Sequence, residues 1–104
     1  MRPDIQGKLT LKKEGGRIGP IFSDYRPQVM KIDSDQLHSC IVFFTEEQLD
    51  LGEPCTSNLL FLFSGHEKFH IELSVGETLN INECRKTIGK YTIEKIFNKK
   101  LDCK

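Results

Sequence analysis

His66-Glu67-Lys68-Phe69-His70 spells H-E-x-x-H, a spacing that on a helix sets two imidazoles around one zinc ion, with the glutamate as general base. Here the motif follows Ser64-Gly65 and runs into Phe69, Ile71, Leu73 and Val75, which alternate with His70, Glu72 and Ser74. That period of two belongs to a strand. Extended residues four apart stand ~13 Å from each other, too far to share a metal. The motif is therefore expected to form a hairpin shoulder, with no metal and no cofactor. Ser23, Ser34, Ser57, Ser64 and Ser74 sit in no G-x-S-x-G elbow, so no activated serine is expected. Glu46-Glu47 and Asp33 with Asp35 read as turn and surface carboxylates. Gly7-Lys8 and Gly89-Lys90 lack the upstream glycine and following hydroxyl of a phosphate-cradling loop. Asn98-Lys99 lacks the aspartate that a guanine-reading Asn-Lys pair needs, so GTP binding is not expected. The chain is expected to be non-enzymatic, because no set of titratable groups converges.

Tyr25-Arg26-Pro27-Gln28 is more promising. Proline cannot donate to a ladder and belongs at a strand start or edge, so Arg26 and Gln28 project from a fixed backbone. Basic clusters occur at Lys8, Lys12 and Lys13 and at Arg85-Lys86. Lys8, Lys12, Arg17, Lys31, Arg85 and Lys86, with Tyr25 as a stacking ring, would suit RNA. Yet fifteen Lys and Arg balance fifteen Asp and Glu, and a chain gripping a phosphate backbone normally carries a basic surplus. Bulk charge will not drive this one onto nucleic acid.

These residues need a frame, and strands supply it. Leu9 and Leu11 alternate with Lys8, Thr10 and Lys12, and Leu79 and Ile81 alternate with Asn80 and Asn82. Continuous apolar runs, Cys40-Ile41-Val42-Phe43-Phe44 and Leu59-Leu60-Phe61-Leu62-Phe63, suit strands covered on both sides. Turn residues punctuate them at Gly15-Gly16, Gly19-Pro20, Asp33-Ser34-Asp35, Gly52-Glu53-Pro54 and Val75-Gly76-Glu77. Residues 45–51 could hold a helical turn, since Glu46-Glu47-Gln48 are better helix than strand formers. With 104 residues the chain supports one core. An all-β fold is expected: a small closed antiparallel β-barrel of about six strands, because closure removes open edges. One domain over residues 1–98 and a flexible charged tail over 99–104 follow. No apolar run reaches the ~20 residues of a membrane helix, and the opening residues carry no apolar signal core. Cytoplasm is the expected location. Cys40, Cys55, Cys84 and Cys103 show no C-x-x-C spacing and read as free thiols, Cys40 buried and Cys103 exposed.

Residues 13–28 also carry a specific likeness. Glu14-Gly15-Gly16-Arg17, then Pro20-Ile21-Phe22-Ser23, then Tyr25-Arg26-Pro27-Gln28 follow the order and spacing of the third, C-terminal domain of bacterial elongation factor Tu, which this chain resembles. Residues 76–93 match that domain's last two strands through Gly76, Ile81, Glu83, Thr87, Ile88 and Gly89. The likeness spans about residues 4–97, although 36–64 match only in strand pattern. It implies a six-stranded closed barrel without the factor's GTPase domain. By the same resemblance, Arg17 and Glu83 fall on the family's surface for the T-arm of aminoacyl-tRNA, and Tyr25 to Gln28 fall near its GTPase-facing side. The family's histidine after the arginine is Ile18 here, and its second Glu-Gly-Gly-Arg is Glu83-Cys84-Arg85-Lys86. The scaffold is thus retained with an altered tRNA surface. The expected function is a macromolecular interaction module using Arg17, Tyr25, Arg26, Gln28, Glu83, Arg85 and Lys86. Its partner is expected to be a protein, either a translation component or one that docks on elongation factor Tu. Two alternatives stand: a decoy or immunity-type protein occupying a toxin that recognises the factor, and a tRNA-binding barrel.

Overall fold

Alternation in the first strand, β1 (Ile5–Leu11), buries Ile5, Gly7, Leu9 and Leu11 and turns Lys8 to solvent. The computed structural model describes residues 3–13, 21–44, 48–62 and 69–102. After β1 come β2 (Ile21–Phe22), β3 (Gln28–Lys31), β4 (His38–Phe43), β5 (Gln48–Leu49), β6 (Cys55–Phe61), β7 (Thr78–Glu83) and β8 (Lys86–Ile96). Six of them close into an antiparallel barrel in the order β1-β6-β4-β3-β7-β8, with β8 returning to β1. The two short strands, β2 and β5, pair separately. Closure leaves the six barrel strands with no exposed ladder edge, the hazard that an open sheet of this size must otherwise cover. The all-β barrel expected from alternation and turn spacing is what the chain forms.

The wall depends on one long strand. β8 pairs with β7 through Lys86 to Thr92 and with β1 through Gly89 to Ile96. It bends between them, with register shifts at Gln6/Gly7 and at Ile81/Asn82. Gly7 lies at the first shift because a Cβ there would stand 2.2 Å from the Thr92 carbonyl oxygen and 2.7 Å from the Tyr91 ring. Tyr91 is fully buried and its hydroxyl donates to the Ser57 carbonyl at 2.8 Å. Burial pushes that phenol well above its ordinary pKa, so it stays protonated.

A carboxylate ties the chain ends to the barrel. Asp4 is 4% exposed, and its Oδ2 accepts from the Phe61 backbone N–H at 2.7 Å while Oδ1 accepts from Asn98 Nδ2 at 2.9 Å. Its carbonyl accepts from the N–H groups of Phe97 and Asn98. A buried charge of this kind is tolerated because its lone pairs are filled.

Several expectations need correction. The cleanest alternation, 69–75, buries Ile71 and Leu73 but forms no strand; its one bridge is Leu73 with Asp102. Alternation reports which face is covered, and here the cover is the chain's end rather than a ladder. The expected flexible tail is ordered over its described part: Lys99–Leu101 forms a 3-10 turn capped by Asn98, and Leu101 is buried. An apolar side chain with a place in the core outweighs the surrounding lysines. The helical turn expected at 45–51 gives way to β5 at Gln48–Leu49, residues 45–47 lying outside the described residues. Cys40 and Cys55 are buried free thiols and Cys84 an exposed one, while Cys103 lies outside the described residues. No helix among the described residues is long and apolar enough to cross a membrane.

Candidate functional site

Pro27 has no N–H, so the segment ahead of β3 cannot ladder fully onto β4. It is held instead through alternate groups. The Tyr25 carbonyl accepts from Val42 N–H at 2.8 Å, and the Pro27 carbonyl accepts from Cys40 N–H at 3.2 Å. Asp24, at φ 67°, turns the chain into this path, and its N–H donates to the Val42 carbonyl. A short polar side chain is among the few that tolerate that left-handed region. Tyr25 and Gln28 are consequently half-buried, and Arg26 is exposed between them.

The β7–β8 hairpin faces this segment. Glu83 pairs with Lys86 across a two-residue turn of Cys84 and Arg85, with Cys84 at φ 57°. The Tyr25 hydroxyl donates to Glu83 Oε2, closing one end of a cavity of about 350 Å³. Arg26 and Cys84 share its rim, and Pro27, Cys40 and Leu62 supply apolar wall. Gln28 lies opposite both Asn82 of β7 and Ser39 of β4, so the barrel wall places two side-chain amides together at the cavity. Gln28 Oε1 and Asn82 Oδ1 are buried and have no hydrogen-bond partner among the described residues. Burial also pushes the Cys40 thiol far above its ordinary pKa, which leaves it a small apolar wall group rather than a nucleophile.

No protein-family model matches this chain, and no curated protein matches it.

Four of the seven residues singled out in the sequence meet here: Tyr25, Arg26, Gln28 and Glu83. Arg85 instead borders a neighbouring cavity of about 200 Å³ with Met30, Asp35 and Leu37, and Asn82 separates the two. Lys86 is exposed on the hairpin and lines neither. Arg17 lies outside the described residues, as do His66 and Glu67 of the H-E-x-x-H motif. His70 is exposed, 3.7 Å from Glu72. Among the described residues no group of three or more His, Cys, Asp or Glu could hold a metal.

Asn82 is the residue that sequence reasoning missed. Alternation with Ile81 puts it on the outer face, yet it is 1% exposed. The register shift at Ile81/Asn82 skips Ile88 on β8, whereas β7 keeps its alternation: Ile81 pairs with core Val29 and Asn82 with Gln28, so Asn82 shares Gln28's face of the wall and is buried there without changing sides. Nothing in the local sequence signals it except the polar Asn80-Ile81-Asn82-Glu83 run itself.

Lys31, grouped above with the basic residues, is engaged elsewhere. Its ammonium is 3.3 Å from Glu77 Oε2 and also donates to the Glu72 carbonyl. Lys8 donates to Thr56 Oγ1 at 2.6 Å.

Proposed function

We propose that this chain is a non-enzymatic β-barrel interaction module that docks a protein partner at the cavity between residues 25–28 and the β7–β8 hairpin. The observation that carries this is the Tyr25–Glu83 hydrogen bond, which joins segments 58 residues apart and gathers Arg26 and Gln28 beside them. Both segments pass through a non-glycine residue at positive φ, Asp24 before Tyr25 and Cys84 after Glu83. Such backbone strain clusters at binding sites, where the surrounding structure holds it. The wall is mixed, with apolar surface, amides, one carboxylate, Tyr25 and Arg26, and tyrosine and arginine are enriched at protein contacts. The resemblance of residues 13–28 and 76–93 to the third domain of elongation factor Tu supports a partner drawn from translation, or one that docks on that factor. A decoy that occupies a toxin recognising the factor would use the same face.

Exposed Arg85 and Lys86 at the hairpin tip favour a second reading, in which the turn meets tRNA. Affinity capture from a bacterial lysate, with and without nuclease, separates the two. The docking function is expected to recover an identified protein that survives nuclease and is lost from Arg26→Glu and Gln28→Lys variants of unchanged circular dichroism. Recovery of tRNA alone, abolished by nuclease and by Arg85→Glu/Lys86→Glu, would replace it. A protein recovered equally by all variants would move the docking face elsewhere.

A further inference from the structure

His38 stands at the end of the barrel wall where β4 begins and β6 ends. Cys40 pairs with Phe61 across those two strands, and His38, two residues before Cys40, shares its face of the wall. The His38 ring meets Phe61 at 6.3 Å and Phe69 at 5.4 Å between centroids, both edge-on, and the two phenyl rings lie 5.5 Å apart. Phe69 opens the segment 69–75, which buries Ile71 and Leu73 in the core but forms no strand. Its backbone ties include the Leu73 N–H donating to the Leu101 carbonyl at 2.8 Å, the Leu73 bridge to Asp102, and the Lys31 ammonium donating to the Glu72 carbonyl. Side-chain burial, with the three-ring cluster at its head, therefore does most of the holding.

We propose that the Phe61–His38–Phe69 cluster is an acid-sensitive latch, in which a proton on His38 loosens residues 69–75 from the barrel while the six-stranded wall stays closed. An imidazolium needs water or an anion about it, and the latch sets it against two phenyl rings. Among the described residues His38 has no hydrogen bond or ion pair. The charged groups on the elements around it are engaged or turned to solvent: Lys31 of β3 is 3.3 Å from Glu77, His70 is 3.7 Å from Glu72, and Asp33 and Asp35 before β4 are exposed. β6 carries no charged residue. Burial lowers the His38 pKa below 6.5, whereas opening returns the ring to water. The open form therefore takes the proton first, and opening gains as pH falls through 6.5 towards the lower closed value. The wall is spared because each of its strands is laddered on both sides, and segments without such ladders open locally at a lower free energy than the whole domain.

Hydrogen exchange of the intact chain, corrected for the intrinsic pH dependence of amide exchange, tests this. Leu73 reports on the latch through its bond to Leu101, while Val42 and Lys12 report on the barrel through their bonds to Tyr25 and Ile88. From about pH 7.5 to about pH 5.5, protection at Leu73 is expected to fall about threefold or more while Val42 and Lys12 keep theirs. His38→Phe keeps a ring and removes the proton, and is expected to abolish the change. His70→Gln, at the exposed neighbouring imidazole, is expected to retain it. Titration of the His38 ring in the native chain by NMR, which needs no variant, is expected to give a folded value below 6.5. A value at or above 6.5, as a cation–π contact with the phenyl rings would produce, overturns the latch. So does unchanged protection at Leu73, an equal fall in His38→Phe, or loss of the pH dependence in His70→Gln. A parallel fall at Val42 and Lys12 also overturns it, because the transition is then global.

Discussion

The Tyr25 hydroxyl donates a hydrogen bond to Glu83 Oε2 across 58 residues of sequence, and this contact fastens the segment before β3 to the β7–β8 hairpin. Pro27 and the register shift at Asn82 both weaken backbone pairing nearby, so side chains must supply what the ladder does not. Tyr25→Phe and Glu83→Gln are each expected to cost about 1 kcal/mol, because a charge-assisted hydrogen bond at a half-buried site falls below the fully buried range. In a double-mutant cycle by urea unfolding, a coupling near zero would show that the two groups act independently.

Asp4 should be the most sensitive polar residue in the chain. Asp4→Ala leaves the Phe61 N–H without its acceptor and frees the Asn98 side chain, for an expected loss of about 2–3 kcal/mol. Asp4→Asn presents one carboxamide oxygen to two donors and should fall between Ala and the native residue. Urea midpoints at constant m-value check this order; an Asp4→Ala midpoint equal to the native one would refute the clasp.

Gly7 and Gly76 separate steric from conformational cost. At Gly7 an added methyl meets the Thr92 carbonyl oxygen at 2.2 Å, and backbone cannot rotate away. Gly7→Ala is therefore expected to cost about 3 kcal/mol or more. Gly76 has φ 92° but open space around it, so Gly76→Ala should cost only about 1 kcal/mol from backbone strain. Thermal unfolding of the pair should show a much larger drop for Gly7→Ala.

Stability should fall on mild acidification through His38. Its ring meets Phe69 at 5.4 Å and Phe61 at 6.3 Å between centroids, both edge-on. Burial lowers its pKa below the ordinary 6.5, since desolvation disfavours the imidazolium. The unfolded chain therefore binds the proton first, and stability is lost as pH falls through 6.5 towards the lower folded value. Comparing native and His38→Phe chains from about pH 7.5 to about pH 5.5 isolates this residue from the carboxylates. A parallel loss in both would assign the pH dependence to other groups.

Much of the architecture could be read without coordinates. Alternation in β1 and β7, apolar runs in β4 and β6, and glycine and proline punctuation led to an antiparallel barrel of about six strands. Local composition misled where a distant partner intervened. Residues 69–75 alternate as a strand would, yet their backbone pairing is a single bridge between Leu73 and Asp102. The charged end of the chain reads as a tail, yet Leu101 is buried. Within the candidate site, Tyr25, Arg26 and Gln28 stand out by their spacing around Pro27.

Sequence by itself determined which faces are apolar, where the chain turns, and that Arg26 and Gln28 flank a residue unable to donate to a ladder. Those are properties of single residues and their neighbours. Only the tertiary structure decided that Glu83 meets Tyr25, that Asn82 is buried opposite Gln28, and that the two amides come together in the barrel wall. The reason is pairing between segments far apart in sequence: which residues stand opposite one another, and what covers an outward-facing side chain, are set by those partners, and no local pattern encodes them.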